Sequence, residues 1–188
     1  TTEIYTLSLH DALPIYVNPT GSYKDRMALA MIEGAEERGD LKPGMKVVEF
    51  TGGSTGSSLA FICAVKGYEF HVISSDAFSK EKLDTMKAFG AKLEIIHSPT
   101  GKISSNLIQK MIARAQTLAL RDDYFFTDQL NNIDIIKGFE VMGDEIQKQM
   151  DEPIDLFCCS VGTAGALMGV SNILLRSEER RVGKECRS

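Results

Sequence analysis

Cysteine is scarce in this chain, four residues in 188, and histidine is scarcer still, with three. Four thiols are too few for a disulfide scaffold. No histidine has a second histidine or a cysteine at ligand spacing, so the sequence shows no zinc site and predicts no metal. No apolar run is long enough for a membrane-spanning helix, which argues against a membrane partner. Positive charge is in deficit, with 21 Lys and Arg against 26 Asp and Glu and a net charge of −5. Without a stripe of aromatic and basic residues, that balance argues against nucleic acid as a partner. Internal repeats and low-complexity stretches are also missing. What remains is a chain that is 43% hydrophobic, enough for the core of one large domain or two small ones. The expectation is a soluble, cytoplasmic globular protein.

The two ends stand apart from the rest. Thr1–Ile15 and Arg176–Ser188 can be encoded by one DNA string read from opposite strands, and that string is similar to a sequencing-library adapter. Both segments are therefore set aside from fold reasoning. Setting them aside leaves Cys63, Cys158 and Cys159, three thiols that cannot all pair and are expected to be reduced. It also leaves His71 and His97, read as structural residues on strands. The intervening stretch, Tyr16–Leu175, begins two residues before a motif and ends in mid-helix. It reads as a fragment.

Within that stretch helices and strands alternate. Asp25–Arg38 carries Met27, Ala28, Met31, Ile32 and Ala35 at helical spacing. Gly39 ends that helix, and Lys46–Phe50 is a short strand. Further helices are predicted at Ser57–Lys66, Lys80–Phe89 (with Ser79 as N-cap), Ser105–Ala119, Ile135–Met150 and Ala166–Leu175. Strands are predicted at Phe70–Ser74, Lys92–His97 and Ile154–Ser160, with a short extended piece at Tyr124–Phe126. The last full strand places Cys158 and Cys159 in buried positions. The alternation implies an α/β fold, a parallel sheet with helices on both faces, with ligands at the carboxyl ends of the strands. Residues 16–150 read as one α/β unit closed by a helix, and residues 151–175 as the opening of a second.

Three elements can carry chemistry. Thr51-Gly52-Gly53-Ser54-Thr55-Gly56 and Val161-Gly162-Thr163-Ala164-Gly165-Ala166 both follow a strand and open a helix. Free N–H groups at a helix N-terminus attract anions, and glycines permit close approach. Neither is a P-loop or a G-x-G-x-x-G fingerprint; the pair together points to a phosphate site and a carboxylate site. In Asn18-Pro19-Thr20-Gly21-Ser22-Tyr23-Lys24-Asp25-Arg26 a turn delivers Lys24 to the start of a helix. The positive helix end there helps to lower the ammonium pKa and favours a nucleophilic amine.

NPTGSYKDR resembles the lysine motif of the fold-type II pyridoxal-phosphate enzymes, which include cysteine synthase, cystathionine β-synthase, threonine synthase and threonine dehydratase. Thr51–Gly56 is similar to their T-S-G-N-T-G substrate loop. Asp128–Asn132 resembles the Gln-containing segment of cysteine synthases, and Lys137–Glu140 their G-x-E helix. Gly162–Ala166 is similar to the G-T-G-G-T phosphate cup. The resemblance spans Tyr16–Leu175 and is closest to the cysteine synthase branch.

It implies pyridoxal 5'-phosphate as cofactor, attached to Lys24, whose amine then serves as base at the substrate Cα. It implies β-elimination or β-replacement on an O-activated serine-type amino acid, with a thiol or sulfide as nucleophile, in a homodimer. Thr51, Gly52, Gly53, Ser54, Thr55 and Gln129 are the implied substrate residues. Lys24, Ser54, Gly162, Thr163, Ala164, Gly165 and Ala166 are the implied cofactor residues. Ser54 stands where the family has an Asn, and Ala164 and Ala166 where it has a Gly and a Thr. A threonine synthase or dehydratase type of lyase, and a non-catalytic cofactor-binding relative, are the alternatives.

Overall fold

The computed structural model describes residues 18–150 and 154–176. Both segments set aside as adapter-like lie outside the described residues, apart from Arg176. Helix α1 (Lys24–Arg38) is followed by β1 (Lys46–Phe50), α2 (Ser54–Lys66), β2 (Glu69–Ser75), α3 (Lys80–Ala88), β3 (Lys92–Ile96), α4 (Ser105–Ala119), β4 (Tyr124–Phe126), α5 (Asp134–Gln149) and α6 (Gly165–Arg176). Element boundaries follow local chemistry. Gly39 and Gly67 take left-handed φ of 76° and 80° and close α1 and α2, a conformation that costs glycine nothing. The Ser79 and Ser104 hydroxyls accept from the backbone N–H of Lys82 and Leu107 and start α3 and α4.

The four strands are all parallel, in the order β3-β2-β1-β4. Alternation along β1 sends Val47 to one face of the sheet and Val48 and Phe50 to the other. Val47, Phe70 and Val72 join the cluster formed with α1, α2, α5 and α6, including Met27, Met31, Leu59 and Phe139. Val48, Phe50 and Ile73 join Leu107, Met111, Ala115 and Leu118 of α4. The sheet is thus covered on both faces, as the alternating pattern predicted. Each large side chain fully removed from water contributes roughly 1.5–3 kcal/mol. Met27 and Met31 are buried, as their helical spacing predicted, and so are Met86, Met111 and Met142.

Two expectations fail here. Residues 154–160 form no strand, and they pair with none of the four strands. Cys158 is consequently exposed and Cys159 only partly covered, not buried. The composition of this segment suits a strand, but a strand needs a neighbour for its backbone groups. His97 sits one residue past β3, exposed, with its Nδ1 2.6 Å from Asp76.

After β3 the chain crosses back over the sheet through α4 to pair β4 on the far side of β1. The strand order therefore reverses between β1 and β4. In open parallel sheets ligands bind in the crevice at such a reversal, beyond the carboxyl ends of the strands.

Candidate active site

The loop after β1 and the loop after β4 meet at this crevice. A pocket of about 300 Å³ opens there, lined by Lys24, Phe50, Thr51, Gly52, Gly53, Ser54, Thr55, Phe78, Ile108, Met111 and Gln129. Seven residues singled out in the sequence come together in it: Lys24, the whole run Thr51–Thr55, and Gln129.

Lys24 is the first residue of α1, and its neighbours hold it in place. Asp25 is buried and accepts from the Thr20 N–H at 3.0 Å and the Thr20 hydroxyl at 2.6 Å, closing the turn ahead of the lysine. Arg26 makes a forked contact with Glu145 of α5, its Nε 3.1 and 3.0 Å from the two carboxylate oxygens. Tyr23 packs on Phe139, ring centroids 5.6 Å apart. Lys24 itself is half-buried, and burial holds its pKa below the ordinary 10.5. Desolvation disfavours the ammonium form. Burial thus lowers the pKa in the same direction as the helix end to which the sequence pattern pointed.

The loop after β1 is shorter than predicted, because α2 starts at Ser54 and not at Ser57. Ser54 and Thr55 are therefore first-turn residues, whose N–H groups have no partner within the helix. Gly52 lies under the ring of Phe78: a Cβ on residue 52 would sit 1.9 Å from the Phe78 Cγ. Any side chain at position 52 and this position of Phe78 exclude each other. Phe78, Ile108 and Met111 form an apolar wall that no motif announced. Gln129 is held by its own side chain, whose amide donates to the Phe50 carbonyl at 2.9 Å.

Beneath the pocket lies Glu49, fully buried on a strand of hydrophobic residues. It accepts from the Thr127 hydroxyl at 2.6 Å and from the backbone N–H of Gln129 at 3.0 Å and of Phe50 at 2.9 Å. Burial outweighs these bonds and pushes its carboxyl up to about 8. The sequence signal was available: a lone Glu among Lys46–Phe50 with no basic residue on the same strand face.

The second glycine loop is not part of this pocket wall. Gly162 and Thr163 are exposed, Ala164 and Ala166 are partly covered, and buried Gly165 begins α6. A Cβ on Gly165 would lie 2.4 Å from the Ile135 side chain, and Phe139 adjoins the same position. Phe139 therefore touches both the residue preceding Lys24 and the start of α6. Ala164 adopts φ +63°, a region that costs a residue with a Cβ roughly 1–2 kcal/mol. Cys63 is buried, with its thiol pushed up to about 12, and takes no part in the pocket.

Comparison with known proteins adds a further layer. Residues 15–183 match the family described as pyridoxal-phosphate dependent enzyme. The cysteine synthase of Staphylococcus aureus is 40% identical over 161 residues, covering 85% of this chain and 50% of that protein. Cysteine synthase B of Escherichia coli is 38% identical over 158 residues, 84% and 50% of the two chains. The crystal structure of a cysteine synthase from Entamoeba histolytica superposes with a TM-score of 0.78 at 31% identity, over 88% of this chain and 48% of that one. The chain therefore spans about half the length of the relatives it matches.

Proposed function

The chain belongs to the pyridoxal-phosphate dependent enzyme family, close to the cysteine synthases, and on that footing we propose that the protein catalyses β-elimination and β-replacement on an O-activated serine-type amino acid. The nucleophile of this reading is a thiol or sulfide. The observation that carries it is the convergence of Lys24, the Thr51–Thr55 loop and Gln129 on one pocket at the sheet's reversal point.

The residues present fit pyridoxal phosphate. The pocket offers a half-buried amine with a lowered pKa, the chemical requirement for covalent attachment of an aldehyde. A second loop, Gly162, Thr163, Ala164, Gly165 and Ala166, opens α6, and nothing lies within 4 Å of where a Cβ on Gly162 would stand. The first-turn N–H groups of α6 have no partner within the helix and can receive a phosphate. When bound, the cofactor supplies an electron sink for carbanion chemistry.

The protein's own residues do the rest in this reading. Lys24 Nζ takes the proton from the substrate Cα, and the burial that lowers its pKa favours the neutral amine that a base needs. The first-turn N–H groups of α2 and the Thr51 and Thr55 hydroxyls hold the substrate carboxylate, with Gln129 donating the N–H that the Phe50 carbonyl does not use. Ser54, shorter than the family's Asn, would offer the cofactor a hydroxyl. Phe78, Ile108 and Met111 keep water from the reacting carbon. The reading extends to a homodimer acting in the cytoplasm, as the family resemblance implies, and to a second domain opening near residue 151. No helix among the described residues is long and apolar enough to cross a membrane.

The test uses the full-length enzyme loaded with cofactor. It should show the visible absorbance of lysine-bound cofactor and consume O-acetylserine with sulfide. Lys24→Ala should lose both. Retention of the absorbance by that variant would show the lysine assignment to be wrong. A wild type that binds cofactor but turns over no O-activated serine would show it to be a binding protein.

A further inference from the structure

Glu49 takes no part in the proposed chemistry, yet it sits directly beneath the residues that do. A carboxylate at a fully buried strand position is costly unless its hydrogen bonds are satisfied. Here its donors come from two separate segments. Oε1 takes the N–H of Phe50, at the end of β1, and Oε2 takes the Thr127 hydroxyl and the N–H of Gln129, just past β4. No salt bridge pairs it with a cation among the described residues, and the nearby charge of Asp128 raises its pKa further.

The β4 side is built to meet it. Asp128 adopts φ 45°, uncommon for a residue with a side chain. That turn brings the N–H of the next residue, Gln129, onto the acid. Asn132 donates to the Thr127 carbonyl at 2.8 Å, and Asn131 to the Asp128 carboxylate at 2.9 and 3.1 Å, bracing the same turn. The Gln129 side chain then reaches back to the Phe50 carbonyl. Gln129 is thus pinned twice to the end of β1, once through its backbone to Glu49 and once through its amide.

We propose that Glu49 is a positioning residue for the carboxylate site: it locks the Gln129 segment against the Phe50–Thr51 strand end, so that donors from two loops converge on one ligand carboxylate. The proposal rests on the carboxylate-binding reading of Thr51–Thr55 and Gln129. Glu49 touches no ligand itself and acts only through Gln129 and Phe50.

The test compares two probes, L-serine and L-serinamide, which differ only in the carboxylate. Their dissociation constants are read from the absorbance change of the full-length, cofactor-loaded enzyme, alongside cofactor occupancy and melting temperature. Glu49→Met removes every acceptor at similar volume. It should weaken L-serine by at least about tenfold, the loss of a charge-assisted hydrogen bond, and leave serinamide affinity and cofactor occupancy unchanged. Glu49→Gln can keep an oxygen where Oε2 stands, holding both Thr127 and Gln129, and should restore most of the preference for serine. Thr127→Val weakens the same lock from the other side and should shift serine alone, by less. If Glu49→Met does not fold, Thr127→Val decides the matter, with Glu49→Gln as the conservative control. Unchanged serine affinity in Glu49→Met or Thr127→Val, or equal losses for both probes, overturns the positioning role. A wild type with no preference for serine over serinamide overturns the carboxylate-site reading, and the lock with it.

Discussion

Lys24, Thr51–Thr55 and Gln129 stand on elements held from several sides, whereas Gly162 and Thr163 stand exposed at the head of a single helix. The first group rests on the ends of β1 and β4, on α1 tied to α5 by Arg26 and Glu145, and on the Glu49 hydrogen bonds. The second rests on α6, which packs against α5 through Gly143, Gly165 and Gly169 and through the Asn172–Glu140 hydrogen bond. The residues assigned to substrate are thus built into the described sheet, and those assigned to phosphate are attached to its side. A sheet fixes its strand ends by ladder bonds and burial on two faces. A lone helix fixes its N-terminus only as well as its one packed face allows.

Perturbations can break or sharpen this contrast. The heaviest is Lys24→Ala, which should lower turnover by about 10³-fold or more, the scale of losing a positioned base, while the apo fold melts close to wild type. Next is Gly52→Ala. Its Cβ would meet the Phe78 ring at 1.9 Å, and overpacking of this kind costs about 1–3 kcal/mol. Denaturant unfolding should show that loss, and Phe78→Ala in the same chain should recover most of it. A comparable insertion in the other loop, Gly162→Ala, meets nothing within 4 Å and should leave stability nearly unchanged.

Glu49 gives a pH signature confined to the sheet-borne half. Its folded carboxyl lies at about 8 against an ordinary 4.5, so between these values the folded state holds a proton that the unfolded state has released. Stability from this group is complete below 4.5 and falls as pH rises through about 8. Glu49→Gln should flatten that fall, which melting curves of the two proteins at pH 5 and pH 9 would reveal. The smallest effect belongs to the helix-borne half. Ala164→Gly relieves a φ of +63° and should stabilise by about 1 kcal/mol or less, because glycine also loosens the unfolded chain.

Much of this was legible in the chain. Helix spacing located α1 and α4, Ser79 marked the start of α3, and alternation of strands with helices predicted a parallel sheet covered on both faces. Lys24 and both glycine loops were visible as motifs. Less legible was anything requiring a partner distant in sequence. Ile154–Ser160 has the composition of a strand and forms none, since pairing depends on an available edge. Phe78 is an ordinary loop residue until Gly52 is placed beneath it. Glu49 is marked only as a lone acid on its strand, and its role appears once Thr127 and Gln129 are brought onto it from nearly eighty residues away.

The sequence by itself determined the order of elements, the lysine at a helix start and the two loops able to receive anions, because these depend on backbone preferences and side chains within a few residues. Only the tertiary structure decided that Lys24 is half-buried enough to lower its pKa. It alone decided that the loops after β1 and β4 share one crevice, and that a buried acid holds them together. Desolvation and long-range hydrogen bonds are properties of the packed sheet, set by which strands become neighbours.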